Sequence, residues 1–477
     1  MISSLLQFFA GFFKRPENPW IFGDEYIYIS KARNLKFGID VIADASLGHS
    51  YPPLYSYLIS LVVTGDPTST YRNIQLLNIG ISQLLLIISF YILNLTSGLW
   101  RSKRGRLLLG LGYLVTATLP IMSGFYFVAM SENLFIPLVV LIFSLVSYLG
   151  KIGLRSRKSW LLLLLTSVLI SLSALTRSIG WVLVPSLVAA MTPLWLKKSV
   201  LSGQPKLFDL KNSLSKRITR GLLATCLIFI GSVLPFLLFS QIELLFVKNF
   251  EQSLSNSGYS SLLNAYLKAI NEILSGHVNW FVAFKIWGNH LIYLFLASFF
   301  FPFAFFFNDL IQAFRQKKFE VDFLFLFFML LGTSFSSFLH CYQGFESNPI
   351  KYSTYFRYLD PAVVTLVVYG LVRLGRLFKQ KTKNKLSAVV AFGLISLGLI
   401  WQLPKRDFYG TINSLGWAWL DLFKESAKNL PLMFKLLPLI LVVSVVFATL
   451  ARRRVFYWLV GGIILINLLT IRVNLAM

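Results

Sequence analysis

Residues 131–158 read SENLFIPLVVLIFSLVSYLGKIGLRSRK. The stretch 131–150 is apolar except at its first three positions and at Ser144 and Ser147, and about 20 such residues cross a hydrocarbon core of roughly 30 Å as a helix. It opens on one acidic residue, Glu132, and runs into a loop carrying Lys151, Arg155, Arg157 and Lys158. Apolar runs of similar length recur along the chain, with no internal sequence repeat. Full spans are expected near 74–97, 107–123, 131–150, 160–176, 179–195, 221–247, 286–307, 323–340, 361–378, 386–401, 433–451 and 455–471. The composition agrees: hydrophobic residues make up 56% of the 477 and charged residues only 13%, about half the charge of a soluble domain. The fold class expected is therefore all-α, a polytopic membrane protein of about 12–13 transmembrane helices with short helices in its outer loops.

The net charge of +26 raises the question of nucleic acid, and its distribution answers it. Of the 45 Lys and Arg, 27 fall in alternate loops, at 101–106, 151–158, 197–220, 315–318, 373–385 and 452–454, accompanied only by Asp209, Asp309, Glu320 and Asp322. Lys and Arg in short loops fix orientation in the membrane. These loops are therefore expected to be cytoplasmic, and no nucleic-acid partner is needed to explain the charge. Cys226 and Cys341 give neither a disulfide framework nor a metal spacing. The one glycosylation triplet, Asn94-Leu95-Thr96, lies inside a span. Ile2–Phe13 is apolar but only about 18 Å long as a helix, so it is either an interfacial helix or the stub of a first span.

The whole chain, 1–477, reads as one transmembrane domain with no soluble C-terminal domain. Its first outer loop, 14–73, is where chemistry concentrates. A helix is expected over Tyr26–Leu35 and short surface helices over Leu54–Thr64, started by prolines that suit a first helical turn, and Ser260–Leu274. Asp24 and Glu25 stand together in a chain with only 19 acidic residues. A carboxylate there could take a proton from an attacking hydroxyl or hold a divalent ion beside a phosphate; it could equally cap a helix. Glu132 is the sole acidic residue between Asp66 and Asp209, and ionisable groups at membrane depth tend to be paired or functional. Arg72 and Arg177, at helix ends on the same side, are its candidate partners. Arginine suits phosphate through paired hydrogen bonds, although a single interfacial arginine more often anchors to headgroups. The run Lys351-Tyr352-Ser353-Thr354-Tyr355-Phe356-Arg357-Tyr358 offers charge, hydroxyls and ring faces at headgroup level, where tyrosines are also ordinary anchors. Of the four histidines only His49, beside the proline run Tyr51-Pro52-Pro53-Leu54-Tyr55, stays a candidate; no zinc spacing is present.

Taken in order, these pieces resemble the GT-C superfamily of integral-membrane glycosyltransferases, relatives of the protein O-mannosyltransferases and of the lipid A aminoarabinose transferase. The resemblance rests on Gly23-Asp24-Glu25-x-x-Tyr28, Pro52-Pro53-Leu54-Tyr55, Tyr71-Arg72, Ser131-Glu132-Asn133-Leu134, Leu175-Thr176-Arg177 and Phe356-Arg357-Tyr358-Leu359-x-Pro361. It implies an inverting transferase at the extracytoplasmic face of the cell membrane. The donor would be a polyprenyl-phosphate-linked sugar, and the acceptor a glycan, a lipid or a protein. Carried over by position, Asp24 would be the catalytic carboxylate, with Glu25 its neighbour and Glu132 the second acidic group. Tyr28, His49, Tyr55, Arg72, Arg177, Lys351, Arg357 and Tyr358 would bind substrate. Metal use, Mg or Mn, is left open. A polytopic transporter or lipid flippase is the alternative, and geometry separates the two. The transferase needs Asp24 and Glu132 to face one site joined by Arg357, whereas a transporter needs a polar site deep in the bundle.

Overall fold

The structure, a computed structural model, describes residues 23–38, 51–98, 103–154, 156–196, 207–246, 279–299, 301–316, 319–345, 355–377 and 461–470, with isolated positions at 267, 270, 271, 275 and 415. Among them there are helices and turns and no strand. Seven helices are long and apolar enough to cross a membrane, or eight if one bent pair counts as a span. The chain is a multi-pass membrane protein. The spans expected at 386–401 and 433–451, the first part of 455–471, most of the helix at 260–274, and Ile2–Phe13 lie outside the described residues.

In chain order the helices are α1 (Gly23–Phe37), α2 (Leu54–Ser60), α3 (Pro67–Ser97), α4 (Lys103–Thr118), α5 (Pro120–Tyr126), α6 (Glu132–Ile152), α7 (Arg157–Thr176), α8 (Leu183–Leu196), α9 (Leu207–Phe246), α10 (Trp280–Ala297), α11 (Phe301–Gln316), α12 (Val321–Phe345), α13 (Asp360–Leu377) and the segment Gly461–Thr470, α14. A 3₁₀ turn, Ser178–Val182, joins α7 to α8. The central helix is α6, the stretch quoted at the outset. It is apolar on every side, and a helix of that kind is buried on every side. It packs on α3, α7, α12 and α13, and all of its positions from Glu132 to Ser147 are buried. The second central helix is α13, which meets α3, α4, α6, α11 and α12. Its first turns, including Ala362 to Tyr369, are buried throughout. By contrast α9 packs chiefly on α7 and α8 and presents Leu222, Phe229, Ile230, Leu234 and Leu238 outward.

Two expected spans are corrected. The run at 107–123 is broken: α4 and α5 meet at 56°, because Pro120 has no N–H to continue the ladder and turns Leu119 out of helical backbone (ψ 138°). The run at 286–307 is two helices, α10 and α11. Its polar residues are few (Asn289, His290 and Ser298), but Pro302 would clash with the carbonyl of Ser298 in a continuous helix. Phe299 takes the left-handed backbone (φ 56°) at the break. Also, α1 begins earlier than expected, so Asp24 and Glu25 stand in its first turn and not in a loop. At the end of the bundle away from that turn, Arg373 of α13 binds Asp309 (3.0 Å) and Glu320 (2.7 Å). Tyr369 donates to the same Asp309 oxygen (2.6 Å). This pins α13 to α11 about 20 Å from Asp360.

Candidate active site

Four helix ends converge at one end of the bundle. Asp24 comes from the start of α1, Glu132 from the start of α6, Arg177 from the end of α7, and Arg357 from the turn before α13. Arg357 is the hub. Its Nη1 donates to Asp24 Oδ2 (2.6 Å) and its Nε to Glu132 Oε1, the same oxygen that receives Nη1 of Arg177. The Glu132 side chain is 1% exposed and that of Arg357 5%, whereas that of Asp24 is 28% exposed. Asp24 is thus the carboxylate that a molecule arriving from outside the bundle can touch. Tyr51 donates its phenol to the other Asp24 oxygen, Oδ1 (2.7 Å). Burial alone would raise the Asp24 pKa, but the charge and hydrogen bond of Arg357, with that of Tyr51, outweigh it and hold the carboxyl below the usual carboxylate range.

Each member is placed by an identifiable device. Glu132 follows a buried turn, 127–131, left by the Pro120 break. Such a turn needs partners for its backbone groups, and it has them. Phe127 O accepts from Tyr71 (3.0 Å) and Gln75 (3.1 Å), and Val128 O from Asn78 (3.0 Å) and Asn133 (2.9 Å). The N–H of Ala129 donates to Glu25 Oε1 (2.7 Å), which also accepts from Tyr71 (2.8 Å). Arg177 ends α7 in extended backbone (φ −149°, ψ 135°), and the chain doubles back so tightly that a Cβ at Gly180 would lie 2.6 Å from Ala174 N. Arg357 follows Phe356, which is fully buried and stacked on Tyr293 of α10 (4.4 Å between ring centroids). Tyr293 in turn donates to Asp360.

The sequence-derived residues divide accordingly. Asp24, Glu132, Arg177 and Arg357 meet directly, and Tyr358 lies against Arg177 (5.5 Å to its ring centroid). Glu25 is fully buried and faces the turn rather than Arg357, so adjacency to Asp24 does not put it in the same place. Tyr28 donates to Ser131 Oγ (2.8 Å), which lies 3.4 Å from Glu132 Oε2. Tyr55 is buried on Asn78 (2.9 Å) and edge-on to Tyr28. Arg72 is exposed on α3, outside the cluster. It cannot partner Glu132 because Tyr71, its neighbour, points inward. His49 and Lys351 lie outside the described residues. Two residues were not anticipated as site members. Tyr51 belongs to the proline run, and His340, one of the histidines without a candidate role in the sequence, sets its ring on Tyr355 (4.8 Å) and Tyr358 (5.0 Å). Nothing in residue spacing marks either.

Among the described residues the cluster offers no ready-made site for a divalent ion. Among the described residues no three His, Cys, Asp or Glu converge, and both carboxylates of the cluster are already engaged by guanidinium groups.

The importance of Glu25 to this geometry can be measured. Glu25→Ala should cost about 1–3 kcal/mol, the penalty for stranding a buried N–H. It should lower the thermal midpoint in detergent, and Glu25→Gln, which keeps the accepting oxygen, should restore most of the loss. An unchanged midpoint in Glu25→Ala would show that the clamp does not hold α1.

With its central α6 and α13 and its polar residues gathered at helix ends, the fold has a counterpart among solved structures. No protein-family model matches the chain, and no curated protein matches it in sequence. Among solved structures it is similar to ArnT from Cupriavidus metallidurans bound to undecaprenyl phosphate, with TM-score 0.52 and 12% identity over 99% of this chain and 76% of that chain. At that identity the likeness concerns the fold alone. The apo state of the same ArnT (TM-score 0.49, 14% identity, 99% and 75% covered) and the archaeal oligosaccharyltransferase AglB from Archaeoglobus fulgidus (0.42, 16%, 90% and 57%) are more distant.

Proposed function

We propose that the protein is an inverting glycosyltransferase that moves a sugar from a polyprenyl-phosphate donor to an acceptor hydroxyl at the extracytoplasmic face of a cell membrane. The observation that carries this reading is Arg357, one buried guanidinium shared between an accessible carboxylate, Asp24, and a carboxylate that also holds Arg177. A lipid-borne phosphate has its tail in the bilayer and its headgroup at the level of such helix ends. The ArnT of similar fold was crystallised with undecaprenyl phosphate, which is in keeping with this donor class.

The acceptor oxygen attacks the anomeric carbon on the face opposite the phosphate. The bond from that carbon to the phosphate oxygen breaks and its electron pair stays on the phosphate. The acceptor proton passes to the Asp24 carboxylate. Arg177 and Arg357 stabilise the charge that accumulates on the departing oxygen, where fixed donors contribute most. Tyr51 occupies one lone pair of Asp24 and orients the rest toward the acceptor. As Arg357 engages phosphate its hold on Asp24 loosens, and the carboxylate regains basicity at the moment it is needed. The partly buried rings of Tyr355, Tyr358 and His340 offer faces for a sugar. The acceptor is a glycan, a lipid or a protein. A transporter would place its polar site near the midplane, and the clustering at helix ends favours transfer.

The test is an assay of purified protein with a panel of polyprenyl-phosphate sugars and membrane extract as acceptor. Donor-dependent glycosylated product is expected. A protein that turned over no donor yet moved lipid phosphates between leaflets would be a flippase. The pH profile adds a second expectation. Because Asp24 is held below the usual range, its base form is present above about pH 4 and is lost only as pH falls through its lowered pKa. No acid limb due to Asp24 should be seen at higher pH. An acid limb near pH 6 that did not move in Arg357→Lys would contradict the pairing.

A further inference from the structure

Glu132 sits where a proton-transfer group would be least useful. It is 1% exposed, and one of its oxygens takes hydrogen bonds from two arginines. Among the described residues its other oxygen has only Ser131, at 3.4 Å. Asp24, beside it, is the accessible carboxylate. Two carboxylates and two guanidinium groups make the cluster neutral before any substrate arrives. A phosphate that binds Arg177 and Arg357 must therefore compete with Glu132 for the same donors.

That competition has a direction. If the donor is a sugar phosphodiester it carries one negative charge, whereas the polyprenyl phosphate left after transfer is a monoester of about −1.5 to −2 at pH 7. Two buried arginines with no opposing carboxylate would hold the product more tightly than the donor, and turnover would stall on release. We propose that Glu132 is a positioning and release residue. It holds Arg177 and Arg357 convergent while the site is empty, and it displaces the product phosphate from them after transfer. Ser131, tied to α1 through Tyr28 (2.8 Å), keeps the carboxylate within reach while the arginines are on phosphate. This assignment rests on the glycosyltransferase reading and gives Glu132 a task distinct from that of Asp24.

The test uses the full-length protein in detergent, with undecaprenyl phosphate as the binding probe. Glu132→Gln should bind it at least about tenfold more tightly than wild type, a difference of about 1.4 kcal/mol. It should show a correspondingly larger rise in thermal midpoint on addition of the lipid. Transfer in a single turnover should be largely retained while steady-state turnover falls and product inhibition deepens. Glu132→Asp, which keeps the charge on a shorter arm, should restore much of the steady-state rate. A merely structural role predicts something different: weaker binding, with single-turnover and steady-state rates falling together. That result, or equal affinity for undecaprenyl phosphate in wild type and Glu132→Gln, would overturn the proposal. If Glu132→Gln does not survive purification, Glu132→Asp carries the same comparison, with a smaller gain in affinity expected and no gain overturning it. A wild-type protein that neither bound undecaprenyl phosphate nor turned over any donor would remove the glycosyltransferase reading itself.

Discussion

Asp24→Asn is expected to reduce sugar transfer by about 10³-fold or more, within the range for loss of a general base and toward its upper end, while the protein stays folded and inserted. The substitution is isosteric and keeps an oxygen to accept from Arg357 or Tyr51. What it removes is the capacity to accept a proton. The half-exposed position of Asp24 limits the structural damage, because a neutral amide there remains in contact with water. Removing its charge leaves Arg357 paired to Glu132, so the thermal midpoint should move little. The measurement is the donor-dependent assay on wild type and variant at matched protein, together with a melting curve for each. Full activity in Asp24→Asn would eliminate the proposed base. Loss of activity accompanied by collapse of the melting transition would say only that the pair holds the fold.

Arg357→Lys is expected to be nearly as severe, with activity down about 10²- to 10³-fold despite the conserved charge. Arg357 reaches Asp24 through Nη1 and Glu132 through Nε, two different atoms of one planar fork. An ammonium on a flexible stem is a point charge and cannot span both carboxylates in that geometry. The loss should include stability as well, since uncoupling a buried pair typically costs about 3–5 kcal/mol when a partner is removed and less when a charge remains. Arg357→Ala should therefore melt below Arg357→Lys, and both below wild type. Lysine at this position with wild-type turnover would show that one point charge suffices, and that the shared fork has no part in the reaction.

How far these features were legible in the sequence varies with the kind of contact. The path of α6 could be read almost to its ends, because a helix apolar on all sides declares its own burial (131–150 expected, Glu132–Ile152 found). Glu132, Arg177 and Arg357 could be placed at helix ends on the same side, since the loops between spans alternate. The corrections arise where the sequence carries a helix-wide signal but not a residue-level one. Glu25 looked like a twin of Asp24, yet successive residues on a helix point about 100° apart. One carboxylate therefore faces the site and the other the buried turn at Ala129. The same rotation puts Tyr71 inward and Arg72 outward. The break between α10 and α11 lies in a phenylalanine-rich run where Ser298 and Pro302 are the local signs of it. Tyr51 reaches Asp24 across 27 residues of chain, a tertiary encounter that periodicity does not encode.

The position of α13 at the centre of the bundle has a consequence for how the protein enters the membrane. Within 18 residues it carries Asp360, Arg373 and Arg376, and charges of this kind cost about 2.5–3.5 kcal/mol each at the middle of a lipid-facing helix, less near its ends. Presented to the bilayer alone, α13 is a poor candidate for insertion. Presented after α10 and α11, it finds Tyr293 for Asp360 and Asp309 for Arg373, and two of its charges arrive with partners already in place. The helix that delivers Arg357 to the site is thus one whose biogenesis depends on its predecessors. The order of synthesis along the chain is also a workable order of assembly.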